Sequence, residues 1–208
     1  MNPMDVLSEI SQYNTHRAQL DRQRAALLVI DMQEFFNDIG QAIVPSVASL
    51  IQAARQGGVP VIFTRHGHHD LAVDGGVLAP WWDFDLSMYG TPQWQIMSGL
   101  QPDPGDFIVD KTRYSAFFGT GLGEYLSSHG IRDLVISGVM TNCCCETTAR
   151  EGFMRDYRIF VAADGTATEN EDLHISSLKG MAYACAYINS VASLVASLNG
   201  TEADPPSS

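Results

Sequence analysis

The strongest constraint on the fold of this chain is a series of short apolar runs, each of which stops abruptly. The first run, AALLVI at residues 25–30, is apolar at every position and ends at Asp31. A strand with one face in solvent would alternate apolar and polar residues, so an unbroken run predicts a strand that is buried on both faces. Comparable runs predict strands at residues 59–63, 107–109, 134–137, 158–161 and 186–188.

Segments of helical length separate most of these runs, and glycines typical of helix ends follow two of them. Strands that alternate with helices indicate βαβ units and therefore a mostly parallel sheet. We predict an α/β fold of three layers: a doubly wound, mostly parallel six-stranded sheet with helices on both faces. The predicted helices lie at residues 42–56, 120–129, 144–155 and 171–184.

The length of the chain fits one domain. Its 208 residues, 45% of them hydrophobic, are enough to fill one core. We predict a single domain over residues 1–200, with a helical lead-in at 1–24, and a disordered tail at 201–208. Residues 67–105 are rich in Gly, Pro, Trp and Asp and show no periodicity, so we expect this long loop to form a lid or a pocket wall.

Charge and cysteine content narrow the range of partners. The formal net charge of −12 at pH 7 would repel phosphate backbones and anionic lipids, so we expect neither nucleic acid nor membrane as a partner. No apolar run approaches the roughly 18 residues of a membrane span, and the polar N-terminal stretch is unlike a targeting peptide. Adjacent cysteines cannot easily bridge one another, which favours a reducing, cytoplasmic location. A small molecule is the expected partner.

Reactive side chains follow three of the predicted strands. Asp31 follows the first, Lys111 ends the third, and the cysteine run 143–145 comes just after the fourth. In an open parallel sheet, ligands bind beyond the carboxyl ends of the strands, so these side chains should face one crevice. A carboxylate, an ammonium group and a thiol supply the base, the cation and the nucleophile of covalent acyl transfer.

Each of these residues also has an ordinary structural interpretation. An aspartate at the end of a strand is often a helix cap or a turn former. A lone lysine is commonly solvated, and a cysteine at the start of a helix is more often a small buried apolar group than a nucleophile. Their joint occurrence at strand ends is what favours catalysis.

The motifs LLVIDMQEFF, FIVDKTRYSAFFGTGL and GVMTNCCCETTARE, in this order, resemble those of the isochorismatase-like cysteine hydrolase family. The resemblance covers residues 25–190 and is strongest to a nicotinamidase-type branch found in plants. It implies a Rossmann-like fold and a catalytic triad of Asp31, Lys111 and Cys144. The family's nucleophile stands six residues after the position of Gly138, which selects Cys144, so Cys143 and Cys145 are expected to serve packing.

The same resemblance implies further properties. It predicts a cis peptide bond between Val139 and Met140 and an oxyanion hole formed by the backbone N–H groups of Met140 and Cys144. It also implies a homo-oligomer, either a dimer or a tetramer. We expect Lys111 and the positive end of the following helix to lower the pKa of the Cys144 thiol.

The expected reaction is hydrolysis of a small carboxamide through a thioester with release of ammonia, and nicotinamide is the first substrate to consider. One alternative is isochorismatase activity on a vinyl ether, which needs no cysteine. Another is an amidase of the same family that acts on N-carbamoyl or ureido acids. A non-catalytic scaffold is a third alternative, which the presence of Asp31, Lys111 and Cys144 disfavours.

Closely spaced histidines follow the second predicted strand and invite a zinc interpretation. In the sequence HGHHD, His66 and His68 are the candidate ligands. Metal-dependent nicotinamidases carry Asp-x-His here, whereas this chain has His66 at the Asp position and no histidine over residues 70–128. We therefore predict no metal or other cofactor, with His66 in the pocket and with His68 and His69 solvated.

Aromatic residues near the predicted strand ends are candidate pocket walls for a flat ligand, although core packing is an equal alternative for Phe35 and Phe117. The predicted substrate-binding residues are Phe35, Arg65, His66, Trp81, Trp82, Tyr114 and Phe117.

Overall fold

All six predicted strands are present in the computed structural model, which describes residues 3–201. They form one sheet with the order β3-β2-β1-β4-β5-β6, and the neighbouring strands pair in parallel. The predicted α/β class is confirmed, and the tail predicted to be disordered, 201–208, lies outside the described range except for Thr201. The strands are β1 (Ala25–Ile30), β2 (Val61–His66), β3 (Phe107–Lys111), β4 (Asp133–Val139), β5 (Arg158–Ala167) and β6 (Tyr187–Asn189).

The continuous apolar pattern of β1 follows from its place in the centre of the sheet. Leu27 pairs with Val61 of β2 on one side and with Val135 of β4 on the other. Every residue of β1 is buried, because successive side chains enter two different cores on the two faces of the sheet. Full burial of each aliphatic side chain contributes about 1.5–3 kcal/mol, so a strand with this composition is most stable in this position.

Helices cover both faces of the sheet. Those numbered α1, α6, α7 and α8 pack on one face, and α3 and α9 pack together on the other. Within residues 3–201, no helix combines the length and apolar character needed to cross a bilayer. The helices are α1 (Pro3–Glu9), α2 (Asn37–Gly40), α3 (Val44–Gln56), α4 (Leu71–Asp74), α5 (Leu78–Trp81), α6 (Leu122–Ser128), α7 (Glu146–Met154), α8 (Glu171–Ala184) and α9 (Val191–Asn199).

The structure differs from the sequence-based prediction near both ends and in the long loop. Over its described residues, 3–24, the lead-in is helical only in α1 and in the short 3-10 turn Arg22–Arg24. Helix α9 was not predicted; its start is capped by Ser190, whose side chain accepts a hydrogen bond from the N–H of Ser193. The loop 67–105 contains the one-turn helices α4 and α5, which are too short to produce a periodic pattern.

The backbones of β1 and β4 approach each other closely where the chain leaves the sheet. Gly138 pairs with Ile30, has a φ of +114°, and would place a Cβ atom 2.0 Å from the carbonyl oxygen of Ile30. Only glycine tolerates both the left-handed backbone and this approach. The sheet order reverses between β1 and β4, so a crevice opens beyond their carboxyl ends.

Replacing Gly138 with alanine should therefore strongly destabilise the protein. We expect the Gly138→Ala variant to lose about 3 kcal/mol or more of unfolding free energy, measured by urea denaturation, because the backbone of β1 has no room to yield. The matched control is Gly105→Ala, since a Cβ atom at Gly105 meets nothing within 4 Å. Equal stability changes in the two variants would contradict this account.

Candidate active site

The three residues predicted to be catalytic meet at the carboxyl ends of the strands. Asp31 directly follows β1, Lys111 is the last residue of β3, and Cys144 lies in the turn after β4. All three are buried. The Nζ atom of Lys111 lies 2.7 Å from Oδ2 of Asp31, so the lysine side chain reaches past the end of β2, which separates the two strands.

Asp31 is held from two directions. Its backbone has a φ of 49°, an unusual value for a residue with a side chain and one that costs about 1–3 kcal/mol. The hydroxyl of Thr64 on β2 donates to Asp31 Oδ1 at 2.5 Å and accepts from the Asp31 N–H at 3.1 Å. This contact leaves Oδ2 directed towards Lys111 and fixes the carboxylate in one orientation.

Lys111 retains its charge in the buried site. Burial opposes that charge, but the neighbouring Asp31 carboxylate outweighs it and raises the lysine pKa above its usual value. A third contact, from Nζ to the carbonyl oxygen of Arg113 at 3.0 Å, holds the ammonium group in place. The site therefore contains a fixed positive charge next to a carboxylate and a thiol.

Cys144 lies in a π-helical turn, Thr141–Cys145, that precedes α7. The carbonyl oxygen of Met140 accepts hydrogen bonds from the N–H groups of Cys143 and Cys145, both at 3.1 Å. The peptide bond between Val139 and Met140, predicted to be cis, is cis. Single π-helical turns inside helices are frequent at functional sites, and this one places the middle cysteine at the cavity.

The thiol of Cys144 is protonated in the resting protein. Burial raises its pKa far above the ordinary range, Lys111 lowers it, and the nearby Asp31 carboxylate raises it further. Lys111 lowers the thiol pKa, as expected, but burial outweighs this contribution, so the net shift is upward. Thiolate formation instead needs a proton acceptor, and Asp31 is in position.

The neighbouring cysteines differ from each other. Cys145 is fully buried in the core, as expected for a packing residue, whereas Cys143 is half-buried. Burial raises the pKa of both thiols, and Glu146 and Glu169 contribute at Cys143. All four cysteines of the chain are unpaired.

A cavity of about 640 Å³ opens above Cys144. Four of the residues predicted to bind substrate line it: Phe35, His66, Trp82 and Tyr114. The indole N–H of Trp82 donates to the Tyr114 hydroxyl at 2.8 Å, which ties the long loop to the segment after β3. The cavity thus has the flat aromatic walls expected for a small planar ligand.

Three other predicted substrate-binding residues are not part of this cavity. Arg65 lies over the ring of Trp94 and forms a salt bridge of 2.7 Å with Asp110, because its strand position directs it away from the crevice. Trp81 is 77% exposed on the outer side of α5. Phe117 is buried in the core against Tyr157. The structure therefore does not bring these three residues to the cavity.

Further lining residues were not identified from the sequence. Three are apolar and three are acidic, and the acidic side chains are all exposed at the mouth of the cavity. They come from segments that are distant in sequence, and no local pattern distinguishes them from ordinary surface residues. The additional residues are Phe36, Ile39, Leu86, Asp38, Asp85 and Glu169.

Gln33 fixes the position of His66. Its side-chain oxygen accepts from the His66 N–H at 2.7 Å, and its amide donates to the His66 carbonyl oxygen at 3.0 Å. Burial and the charge of Lys111 lower the pKa of His66 from 6.5 to about 3. His66 is therefore a neutral imidazole at the edge of the cavity at neutral pH.

The candidate zinc ligands do not form a complete site. The rings of His66 and His68 lie 5.1 Å apart, centroid to centroid. Among the described residues, no group of three or more His, Cys, Asp or Glu side chains is arranged to hold a metal ion. Catalytic zinc sites use three protein ligands, so these two imidazoles do not fit the ion. His68 is buried and bonded through Nδ1 to Asp74 at 3.0 Å, so the expectation that it is solvated is wrong.

The low pKa of His66 makes a prediction about acid stability. Below pH 6.5 the unfolded chain binds a proton that the folded protein excludes, so the free energy of unfolding should fall as the pH drops towards 3. Between pH 7 and pH 5 this histidine should account for about 2 kcal/mol of the loss. Urea unfolding of His66→Gln should lack that part of the pH dependence.

The exposed His69→Gln variant serves as the control for this measurement and should keep the wild-type pH dependence. An identical loss of stability in wild type and His66→Gln on acidification would show that His66 is not the group responsible.

Comparisons with known proteins agree with this architecture. A family model for the isochorismatase domain matches residues 25–193. The chain is 40% identical over 183 residues to nicotinamidase 3 of Arabidopsis thaliana, covering 87% of this chain and 92% of that protein. It is 33% identical to the ureidoacrylate amidohydrolase RutB of Pseudomonas savastanoi pv. phaseolicola, covering 71% and 72%.

Solved structures give the same result. A cysteine hydrolase from Pseudomonas syringae pv. phaseolicola matches with a TM-score of 0.85 at 27% sequence identity, and the match covers 89% of this chain and 97% of that one. The matching domain, the curated relatives and this structural likeness together show that the chain belongs to the isochorismatase family of hydrolases.

Proposed function

We propose that the protein is a cysteine amidohydrolase that cleaves the C–N bond of a small carboxamide and releases ammonia. The observation that carries this proposal is the position of the Cys144 thiol. It lines the cavity and lies beside Asp31, which is itself paired with Lys111. A nucleophile, a base and a fixed cation therefore converge on one point that a small substrate can reach.

In the first half of the reaction, Asp31 removes the thiol proton of Cys144 as the sulfur attacks the amide carbon. The carbonyl electrons move to oxygen, and the resulting oxyanion is stabilised by the backbone N–H groups of Met140 and Cys144. Collapse of this intermediate breaks the C–N bond, and protonated Asp31 transfers its proton to the departing ammonia. The product of this half is a thioester on Cys144.

In the second half, water attacks the thioester carbon while Asp31 accepts a proton from that water. The C–S bond breaks, the carboxylic acid is released, and the sulfur regains a proton from Asp31. Lys111 keeps its charge throughout and stabilises the negative charge that passes between the sulfur and Asp31. Because the resting thiol is protonated, proton transfer to Asp31 accompanies each attack.

Nicotinamide is the first substrate to test. The aromatic walls suit a flat ring, and the relative in Arabidopsis thaliana is named a nicotinamidase. Ureido and N-carbamoyl acids are an alternative supported by the likeness to RutB. Isochorismate is less well supported, because hydrolysis of its vinyl ether proceeds by proton transfer and would leave Cys144 without a role.

We further propose that the protein uses no metal or other cofactor, since the mechanism assigns every step to Asp31, Lys111, Cys144 and backbone N–H groups. Elemental analysis of protein purified without a His tag should find well under one zinc ion per chain. Incubation with EDTA should leave the rate of ammonia release unchanged. A stoichiometric metal whose removal abolishes activity would contradict this proposal.

Two properties of the whole protein complete the proposal. Unpaired thiols at all four cysteines fit a reducing cytoplasm. Large exposed apolar side chains that lie close together on and near α5 support assembly into a homo-oligomer, because clustered exposed apolar groups mark protein–protein contacts. These residues include Val77 and Trp81, which are 83% and 77% exposed.

The three adjacent cysteines allow a direct test of the nucleophile. With an amide that the wild-type protein hydrolyses, Cys144→Ala should lower kcat at least about a thousandfold, because no other group can form the thioester. Cys143→Ala, which removes the half-buried neighbour, is the matched control and should keep kcat within about threefold of the wild-type value. Ammonia release in a coupled assay measures both.

The Asp31→Asn variant distinguishes this reaction from vinyl ether hydrolysis. Loss of activity in both Asp31→Asn and Cys144→Ala supports the thioester route. Full activity in Cys144→Ala together with loss in Asp31→Asn would overturn it in favour of isochorismatase-type proton transfer.

A further inference from the structure

The mouth of the cavity carries charge of one sign. Three carboxylates line it, contributed by Asp38 on α2, Asp85 in the long loop and Glu169 after β5. Within the part of the chain that the structure describes, no lysine or arginine is among the lining residues. A substrate must pass these three carboxylates to reach Cys144.

We propose that this acidic mouth makes the enzyme selective for amides that are neutral or positively charged, and that it rejects amides bearing a carboxylate. This inference rests on the proposed amidohydrolase function and specifies the substrate class for it. The aromatic walls alone would not give this selectivity, because a planar amide with a carboxylate substituent would fit between them as well.

The cations near the cavity are already committed to other partners. Lys111 forms its ion pair with Asp31 at the cavity floor. Arg65 is directed away from the cavity and is bound to Asp110, and the guanidinium of Arg113 donates to the carbonyl oxygens of Asp74 and Thr112 at 2.8 and 2.7 Å. Pairing a substrate carboxylate would require one of these contacts to break.

The walls between mouth and floor reinforce the same preference. Phe35, Phe36, Trp82 and Tyr114 present aromatic surface, and the negative faces of such rings attract cations and offer nothing to an anion. His66 is a neutral imidazole at this edge and adds no positive charge. A neutral heteroaromatic amide meets no electrostatic penalty here, whereas a carboxylate is repelled along the whole path.

The same charges act on the product. Hydrolysis converts an uncharged amide into a carboxylate, which then lies between Asp31 and the acidic mouth. Repulsion should favour departure of the acid, so product inhibition should be weak. Ureido and N-carbamoyl acids, and isochorismate with its two carboxylates, are disfavoured by the same repulsion on entry.

Three benzamides of similar shape test the proposal. They carry at the meta position a carboxylate (3-carbamoylbenzoate), an amide (isophthalamide) or an ammonium group (3-(aminomethyl)benzamide). At an ionic strength of about 20 mM, kcat/KM for the neutral and cationic compounds should exceed that for the anion at least about tenfold. Because the mouth carboxylates are exposed, the difference should shrink as the ionic strength rises to about 500 mM.

Charge-neutralising variants identify the residues responsible. Each of Asp38→Asn, Asp85→Asn and Glu169→Gln should raise the ratio of kcat/KM for the anion to that for the neutral amide about two- to threefold, and the triple variant about tenfold. Glu124→Gln removes an exposed carboxylate of α6 that does not line the cavity. It is the control and should leave the ratio at its wild-type value.

The possible outcomes separate this inference from the proposed function. If nicotinamide, all three benzamides and the ureido and N-carbamoyl acids release no ammonia, the amidohydrolase function is overturned, and this inference falls with it; if only the ureido or N-carbamoyl acids do, charge selection alone is overturned. If the neutral amide is hydrolysed but the anion is hydrolysed equally well, or the triple variant leaves the ratio unchanged, charge selection at the mouth is overturned while the amidohydrolase function stands.

Discussion

The ion pair between Asp31 and Lys111 is the interaction on which the rest of the site depends. Two fully buried charges cost several kcal/mol of desolvation, and they persist only with close pairing and additional hydrogen bonds. Here the 2.7 Å contact is supplemented by the hydroxyl of Thr64 and the carbonyl oxygen of Arg113. Asp31 follows β1 and Lys111 ends β3, and these two strands lie on either side of β2. The ion pair therefore depends on the order of the strands in the sheet.

The pair also explains how a deeply buried thiol can be reactive. Burial alone holds Cys144 protonated, and a thiol without a base in this place would be inert. Asp31 offers an acceptor for the proton. After the transfer the negative charge lies on the sulfur, and the positive charge of Lys111 still balances it. In the proposed mechanism reactivity belongs to the set of three residues and not to the cysteine alone, and the neighbouring Cys145 is a core residue.

The cavity divides into a charged floor, an aromatic wall and an acidic mouth. The floor comes from the ends of β1, β3 and β4, which are rigid parts of the sheet. The wall and mouth come mostly from the segments after β1, β2 and β5, where residues can change without disturbing the core. Chemistry and substrate choice are thus assigned to different parts of one fold, as the different named activities of its relatives also indicate.

Much of this arrangement could be predicted from the sequence, because the relevant information is local. An unbroken apolar run specifies a central strand, and a polar residue directly after it must lie at the carboxyl edge of the sheet. Local patterns therefore predict Asp31, Lys111 and the cysteine run 143–145 at one edge, and the resemblance to a known family singles out the middle cysteine. No local pattern gives the pairing distances or the raised thiol pKa, because they depend on burial by residues distant in the chain.

Only the tertiary structure decided which side chains face the cavity. Arg65 and Trp81 have the chemistry of binding residues, but their direction is set by strand pairing and by the position of α5. Asp85 and Glu169 resemble ordinary surface residues until the long loop and the end of β5 meet above Cys144. The sequence by itself determined the sheet and the catalytic edge, since those follow from local patterns. Substrate contact depends on where distant segments pack, and packing is a property of the whole fold.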